Sequence, residues 1–133
     1  MNGDPKPGED TGFLRARLRS VGFALRGVAT LIRTQPNARI HLVAMILVIV
    51  AGLALSVGAG EWALLAFAIG LVWTAEAANT ALEALANRIT TDIDPQIRRA
   101  KDIAAGSVLL ASITASAIGF LVLGPRLWAL LAR

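Results

Sequence analysis

The sequence contains no cysteine and one histidine, His41. Without cysteine there is no disulfide, no thiol nucleophile and no thiolate site for zinc or an iron–sulfur cluster. One histidine cannot build a His-rich metal centre. Charge is scarce as well: 17% of the 133 residues are Asp, Glu, Lys or Arg, against 56% that are hydrophobic. A soluble domain of this length needs far more polar surface. No G-x-x-x-x-G-K-[ST] sequence occurs, so any nucleotide site here is not a P-loop. The length permits one domain, and two stretches longer than about 18 residues, 40–60 and 103–125, carry no charge, which marks an integral membrane protein.

The charge that is present is unevenly placed. Eleven Arg and two Lys face nine acids for a formal net charge of +4. In a membrane protein that excess reads as orientation and binding to anionic lipid headgroups, not to nucleic acid. Residues 1–11, with Pro5, Pro7 and mixed charges, are expected to form a flexible cytoplasmic tail, and residues 12–133 the membrane domain. They lack the positive-then-apolar layout of a cleaved signal peptide.

The periodicity predicts an all-α fold: a surface helix over 13–34, then three transmembrane helices over about 38–58, 62–87 and 97–123. Leu14, Leu18, Val21, Leu25, Val28 and Ile32 recur at steps of four and three, with Arg15, Arg19, Arg26 and Arg33 one residue along. Such a helix is suited to the headgroup layer. Ile40 to Gly60 has no charged residue, and its 21 residues would extend about 31 Å, the thickness of a hydrocarbon core. Trp62 opens the next span at an interface, Asp94-Pro95 resembles an N-cap followed by proline, and Gly124-Pro125 is expected to interrupt the last helix. Positive residues crowd the N-terminal segment and the second loop (Arg88, Arg98, Arg99, Lys101) and are absent from the first loop, so the N-terminus and second loop are expected on the cytoplasmic side. Arg126 and Arg133 oppose this and are outnumbered.

Chemistry concentrates between Glu76 and Asn87. At 100° per residue, Glu76, Asn79, Thr80, Glu83 and Asn87 fall within a stripe about 100° wide on a helix otherwise built of Ala and Leu. A carboxylate at the bilayer centre costs about 2.5 to 3.5 kcal/mol, so a stripe with two of them faces protein or water and is a candidate functional site. Small residues at Ala77, Ala81 and Ala84 would also suit plain helix packing, but two facing acids repel and do not. Glu76 lies about 21 Å along the axis from Trp62, near the cytoplasmic end, and Glu83 one heptad further. That places one acid near the upper acyl chain and the other near cytosolic solutes. Lys101, with Asp102 beside it, sits where the last helix enters on the same side and can hold phosphate as a point charge, although an interfacial lysine often only snorkels.

Glu76-x-x-Asn79-Thr80-Ala81-x-Glu83, followed by Arg99-Ala100-Lys101-Asp102-x-Ala104-Ala105, closely resembles the motif pair of the prokaryotic diacylglycerol kinase family, which includes undecaprenol kinases. The resemblance runs from about Thr11 to Leu123, and Asn37-Ala38-Arg39-Ile40-His41 is more like the undecaprenol kinase branch. It implies ATP-dependent transfer of the γ-phosphoryl group to a lipid alcohol, diacylglycerol or undecaprenol, at the cytoplasmic face of the cell membrane. The implied assembly is a homotrimer with active sites shared between subunits. On the same footing Glu76 matches the general base and Asn79 its support. Glu83 matches a ligand of the Mg²⁺ that accompanies ATP. Lys101, Asp102, Asp92 and Asp94 match nucleotide-binding positions, and Phe23 an aromatic near the nucleotide. Two departures stand out: the family's second acidic metal ligand falls on Gln35, and the aspartate usual four residues after the second glutamate is Asn87. A neutral amide binds magnesium more weakly than a carboxylate. The contrasting reading is a non-catalytic oligomeric membrane protein derived from the same family. A small-ion transporter is weaker still, because three spans offer no inverted repeat.

Overall fold

A computed structural model describes residues 9–89 and 94–132. They form four helices and no strand: α1 (Glu9–Thr34), α2 (Pro36–Ala54), α3 (Ala59–Ile89) and α4 (Pro95–Leu131). Helices α2, α3 and α4 are each long and apolar enough to cross a membrane. The expected all-α architecture of a surface helix and three spans is therefore the one observed, with adjusted boundaries.

Proline sets two of the helix starts. The residue before a proline is pushed out of the helical region, and both Gln35 (φ −103°, ψ 118°) and Asp94 (φ −93°, ψ 120°) are extended ahead of a proline in the first turn. Asp94 then caps α4 as its type predicts, its Oδ1 accepting from the backbone N–H of Gln96 at 2.7 Å and of Ile97 at 3.2 Å. Gln35 makes no side-chain cap. The carbonyls left open at the end of α1 are instead covered by Arg39, which donates to Ile32 O at 3.2 Å and Arg33 O at 2.8 Å. One arginine thus fixes the corner between the surface helix and the first span.

Three boundaries differ from the sequence expectation. Helix α1 starts at Glu9, inside the segment expected as tail, since Pro7 is the last residue before it that forbids a helix interior. Helix α3 starts at Ala59 instead of Trp62, because the turn from α2 closes within Leu55–Gly58, with Ser56 in the left-handed region at φ 51°. Helix α4 runs through Pro125 to Leu131. Proline removes one intrahelical hydrogen bond, but the leucines, tryptophan and alanine that follow are all compatible with a helix, and a broken backbone would expose more unpaired polar groups.

The bundle is tied most firmly at the end opposite Glu76. Val57, Leu65 and Val122 form its buried centre, with Val48, Leu55, Trp62, Ile118 and Leu123 packed around them. Gly52 is required there: a Cβ on it would lie 2.7 Å from Trp62 Cη2. Arg126 closes the same end. Its guanidinium donates to both Glu61 carboxylate oxygens (2.6 and 3.3 Å) and to the carbonyls of Leu55 and Ser56 (both 3.1 Å). Glu61 in turn accepts from Gly58 N–H at 2.8 Å. Elsewhere the close helix contacts rest on buried alanines, Ala38, Ala68, Ala86, Ala104 and Ala111, while leucine, isoleucine and phenylalanine side chains stand exposed on all four helices. An apolar exterior over small internal residues is the inverse of a soluble bundle and suits lipid or a second copy as solvent.

Candidate functional site

Helix α3 turns its polar stripe inward. Glu76 is 2% exposed and Asn79 8%, the two buried polar side chains among the described residues, while Thr80 and Glu83 are half-buried and Asn87 is exposed. The gradient follows the helix axis: each step toward the α3 C-terminus brings the stripe nearer to water. The sequence expectation that both glutamates avoid lipid holds fully for Glu76 and in part for Glu83.

Glu76 and Asn79 form one wall of a cleft of about 260 Å³. The N-terminal turns of α2 supply Asn37, Ile40 and His41, and α4 supplies Ala105, Val108, Leu109 and Ser112. Each helix contributes by its own period. Asn37 and His41 are four apart on α2, and Ala105, Leu109 and Ser112 recur along one face of α4.

The cleft is chemically unfinished. Glu76 Oε2, Asn79 Oδ1 and Thr80 Oγ1 are buried and form no hydrogen bond, and the same is true of Trp73 Nε1 one turn below. Nearly all buried polar atoms in folded proteins are paired, and leaving one bare costs about 1 to 3 kcal/mol. Three acceptor-capable oxygens within five residues of one helix therefore await a donor or a cation. Oxygen-only donors suit a hard cation such as Mg²⁺, which takes most of its ligands from water and phosphate. Among the described residues no group of three or more His, Cys, Asp or Glu converges, so the described chain alone offers single carboxylates and not a cage.

The other predicted residues are spread around the end of the bundle where α3 stops and α4 starts. Lys101 is half-buried and donates from Nζ to Asn87 Oδ1 at 3.2 Å, so the second motif block meets the helix that carries the first, one turn beyond Glu83. Asp102 is exposed. Asp94 is occupied as the α4 cap, and Asp92 lies outside the described residues. Gln35 is half-buried at the α1–α2 corner with an uncommitted side chain. Phe23 is 64% exposed on α1, where the Arg26 guanidinium stacks 4.7 Å from its ring centroid, as Arg17 does at 4.8 Å over Phe13. The chain therefore unites Glu76 with Asn79 and Lys101 with Asn87, and leaves Phe23 on the surface helix.

Sequence reasoning did not assign Asn37, His41 or Ser112 to the cleft. The i, i+4 spacing of Asn37 and His41 at the start of an apolar span is a signal that could have found the first two. Ser112 gives none, since serine in a span is ordinary.

A family model described as prokaryotic diacylglycerol kinase matches residues 22–123. The chain is 32% identical over 109 residues to undecaprenol kinase from Bacillus subtilis (strain 168), covering 82% of this chain and 89% of that protein. It is 38% identical over 115 residues to a diacylglycerol kinase from Synechocystis sp. (strain ATCC 27184 / PCC 6803 / Kazusa), with coverage of 86% and 66%. A diacylglycerol kinase from Escherichia coli (strain K12) is 32% identical over 105 residues, 79% of this chain and 85% of that one.

Proposed function

The chain belongs to the prokaryotic diacylglycerol kinase family and is a multi-pass membrane lipid kinase; from this we propose that it transfers the γ-phosphoryl group of ATP to the hydroxyl of a membrane lipid alcohol, diacylglycerol or undecaprenol, at the cytoplasmic face of the cell membrane. The observation that carries the proposal is the Glu76 carboxylate, 2% exposed, with Oε2 unpaired at a cleft between three helices.

The roles follow from position and residue type. Glu76 takes the proton of the lipid hydroxyl as that oxygen forms its bond to the γ-phosphorus and the bond from γ-phosphorus to the bridging oxygen of ADP breaks. Asn79 orients the hydroxyl or the carboxylate through an amide that nothing else engages at Oδ1. Glu83, nearer the α3 end, would hold Mg²⁺ with Gln35 contributing an amide oxygen. When bound, that ion neutralises charge on the phosphate oxygens. Lys101 adds a positive charge beside the phosphates, steadied by Asn87, and Asp102 and Asp94, with Asp92, border the nucleotide. Phe23 offers a flat face on α1 for the base. The basic edge of α1 holds that helix on anionic lipid headgroups. The orientation with N-terminus and second loop in the cytoplasm follows from the arginine distribution. A homotrimer is the assembly that the family resemblance implies, and the orphaned oxygens of one chain leave room for cover by another.

The deciding experiment incubates membranes containing the chain with labelled ATP, Mg²⁺ and each lipid alcohol. Labelled lipid phosphate from the native chain and its loss in Glu76→Gln, with the protein still folded, supports the assignment; equal turnover in Glu76→Gln removes the base role. One observation favours a second reading, a non-catalytic oligomer: Gln35 stands where the family has an acid. That reading expects no Mg²⁺-dependent nucleotide binding and a weaker oligomer in Glu83→Ala.

A further inference from the structure

A general base buried in a membrane has to lose its proton again after each turnover. Glu76 is 2% exposed, and a cleft filled by lipid and nucleotide gives its carboxyl no path to bulk water on that side. The proton needs a route through the protein. Three buried polar atoms on adjoining turns of α3 share with Glu76 Oε2 the lack of any hydrogen bond: Trp73 Nε1, Asn79 Oδ1 and Thr80 Oγ1. They differ in what they can do with a proton. An indole N–H only donates and an amide oxygen only accepts, whereas a hydroxyl does both at once. Of the three, Thr80 alone can take a proton from a carboxyl and pass its own onward.

Its position suits that task. Thr80 is not part of the wall of the Glu76 cleft and follows Glu76 by four residues, toward the end of α3. Residues so spaced have Cβ atoms about 5 to 6 Å apart, a gap that a carboxyl and a hydroxyl can bridge with a hydrogen bond. Beyond Thr80 the same stripe continues through Glu83, half-buried, to Asn87, exposed, so it leads from a sealed carboxyl to open water. The hydroxyl is also uncommitted. Ser20, Thr34 and Thr114 each donate to the carbonyl four residues earlier, at 3.0, 2.9 and 2.9 Å, as helical hydroxyls often do. Thr80 makes no such bond. A bare buried hydroxyl costs stability that valine, of the same shape, would not, so packing gives no reason for threonine here.

We propose that Thr80 is the relay through which the proton taken up at Glu76 leaves for water at the α3 end. The inference rests on the kinase reading, which supplies that proton. As the O–H bond of the lipid breaks and its oxygen bonds to the γ-phosphorus, the proton goes to the Glu76 carboxylate. The carboxyl then gives it to Thr80 Oγ1, while the proton that the Thr80 hydroxyl already carried passes to a water molecule at the α3 end. Glu76 is a carboxylate again and Thr80 a neutral hydroxyl. One proton has reached water for each lipid phosphorylated.

Rapid mixing separates the first turnover from those that follow. The chain, in phosphatidylcholine vesicles holding whichever of diacylglycerol and undecaprenol it phosphorylates, is mixed with labelled ATP and Mg²⁺, and labelled lipid phosphate per site is followed with time. The first turnover of Thr80→Val should match the native rate, because Glu76 begins as a carboxylate. Later turnovers should slow about tenfold or more, with a larger slowing in heavy water than the native chain shows. Thr80→Ser, which keeps the hydroxyl, should restore the native ratio of first to later turnovers. The unfolding temperature of Thr80→Val in detergent should not fall, since no hydrogen bond is lost. First and later turnovers slowed alike in Thr80→Val, or neither slowed, would overturn the relay and leave the kinase reading standing. A native chain that makes no lipid phosphate from either alcohol would overturn the kinase reading, and the relay with it.

Discussion

The two ends of the helical bundle follow opposite rules. At the Glu61 end every strong polar group is matched: Arg126 spreads its donors over Glu61 and two turn carbonyls, and Glu61 also takes the Gly58 N–H. Around it Leu65 and Val57 are buried and Trp62 seats on Gly52. At the Glu76 end two polar side chains, Glu76 and Asn79, are buried among alanines, three oxygens have no partner and a cleft stands beside two of them. The arginine–glutamate pair is half-exposed, whereas the lone Glu76 is buried and costly to desolvate. Only the first is compensated within the chain. The contrast separates structure from function without reference to any relative: one end is built to hold, the other to receive.

The largest effect should come from breaking the receiving end. Glu76→Gln removes the proposed proton acceptor while keeping shape, and loss of general base catalysis is expected to lower turnover by about 10²- to 10⁴-fold. Thermal unfolding in detergent should stay the same or rise slightly, since an unpaired buried carboxylate gives way to a neutral amide. A fall in unfolding temperature with turnover intact would reverse the contrast and make Glu76 structural.

The holding end should answer in the other currency. Arg126→Ala removes four hydrogen bonds and leaves the Glu61 carboxylate with one, so the tie between α4 and the α2–α3 turn is lost. Gly52→Ala forces a methyl against the Trp62 ring and should cost about 1 to 3 kcal/mol through overpacking. Both are read as lower unfolding temperatures, with turnover per folded molecule near native at low temperature. If either variant stayed stable and lost activity instead, the two ends would not be separable.

How much of this was legible beforehand depends on the kind of constraint. Spans, surface helix and the inward stripe were readable because hydropathy and helical period act residue by residue. The Asp94-Pro95 cap was readable for the same reason. The register of helix against helix was not: that Ser112 of α4 faces Glu76 of α3, or that Arg126 reaches back to Glu61, depends on how three near-uniform apolar surfaces settle on their alanines and on Gly52. Arg126 illustrates the gap. In the sequence it counted against the assigned orientation as a stray positive charge, whereas in the fold its charge is answered by Glu61. Pro125 likewise reads as a stop and is absorbed, because a single missing hydrogen bond does not outweigh the exposure of a broken backbone.

Within the receiving end, the acids should divide by depth. Glu83, half-buried and a heptad beyond Glu76, is the carboxylate assigned to Mg²⁺. Glu83→Ala is expected to raise the Mg²⁺ needed for half-maximal turnover by about tenfold or more, since each lost carboxylate weakens a hard-cation site. The quantity to follow is the Mg²⁺ titration at saturating lipid. A change confined to oligomer size would favour the non-catalytic reading.

The smallest expected effect is also the one that adds function. Gln35 sits at the α2 N-cap without a side-chain cap bond, so exchanging it for an acid disturbs no hydrogen bond among the described residues. Gln35→Glu places a negative charge at the positive end of α2, which is favourable, and close to the negative end of α1, which is not; each contributes about 0.3 to 1 kcal/mol, and they oppose. Stability should therefore hardly move. A carboxylate is a better magnesium ligand than an amide, and the Mg²⁺ requirement should fall by about two- to fivefold. The same titration in Gln35→Glu and in the native chain reads the difference. An unchanged midpoint would mean that position 35 does not face the ion, leaving the α1–α2 corner, like the Glu61 end, a place that holds the bundle together.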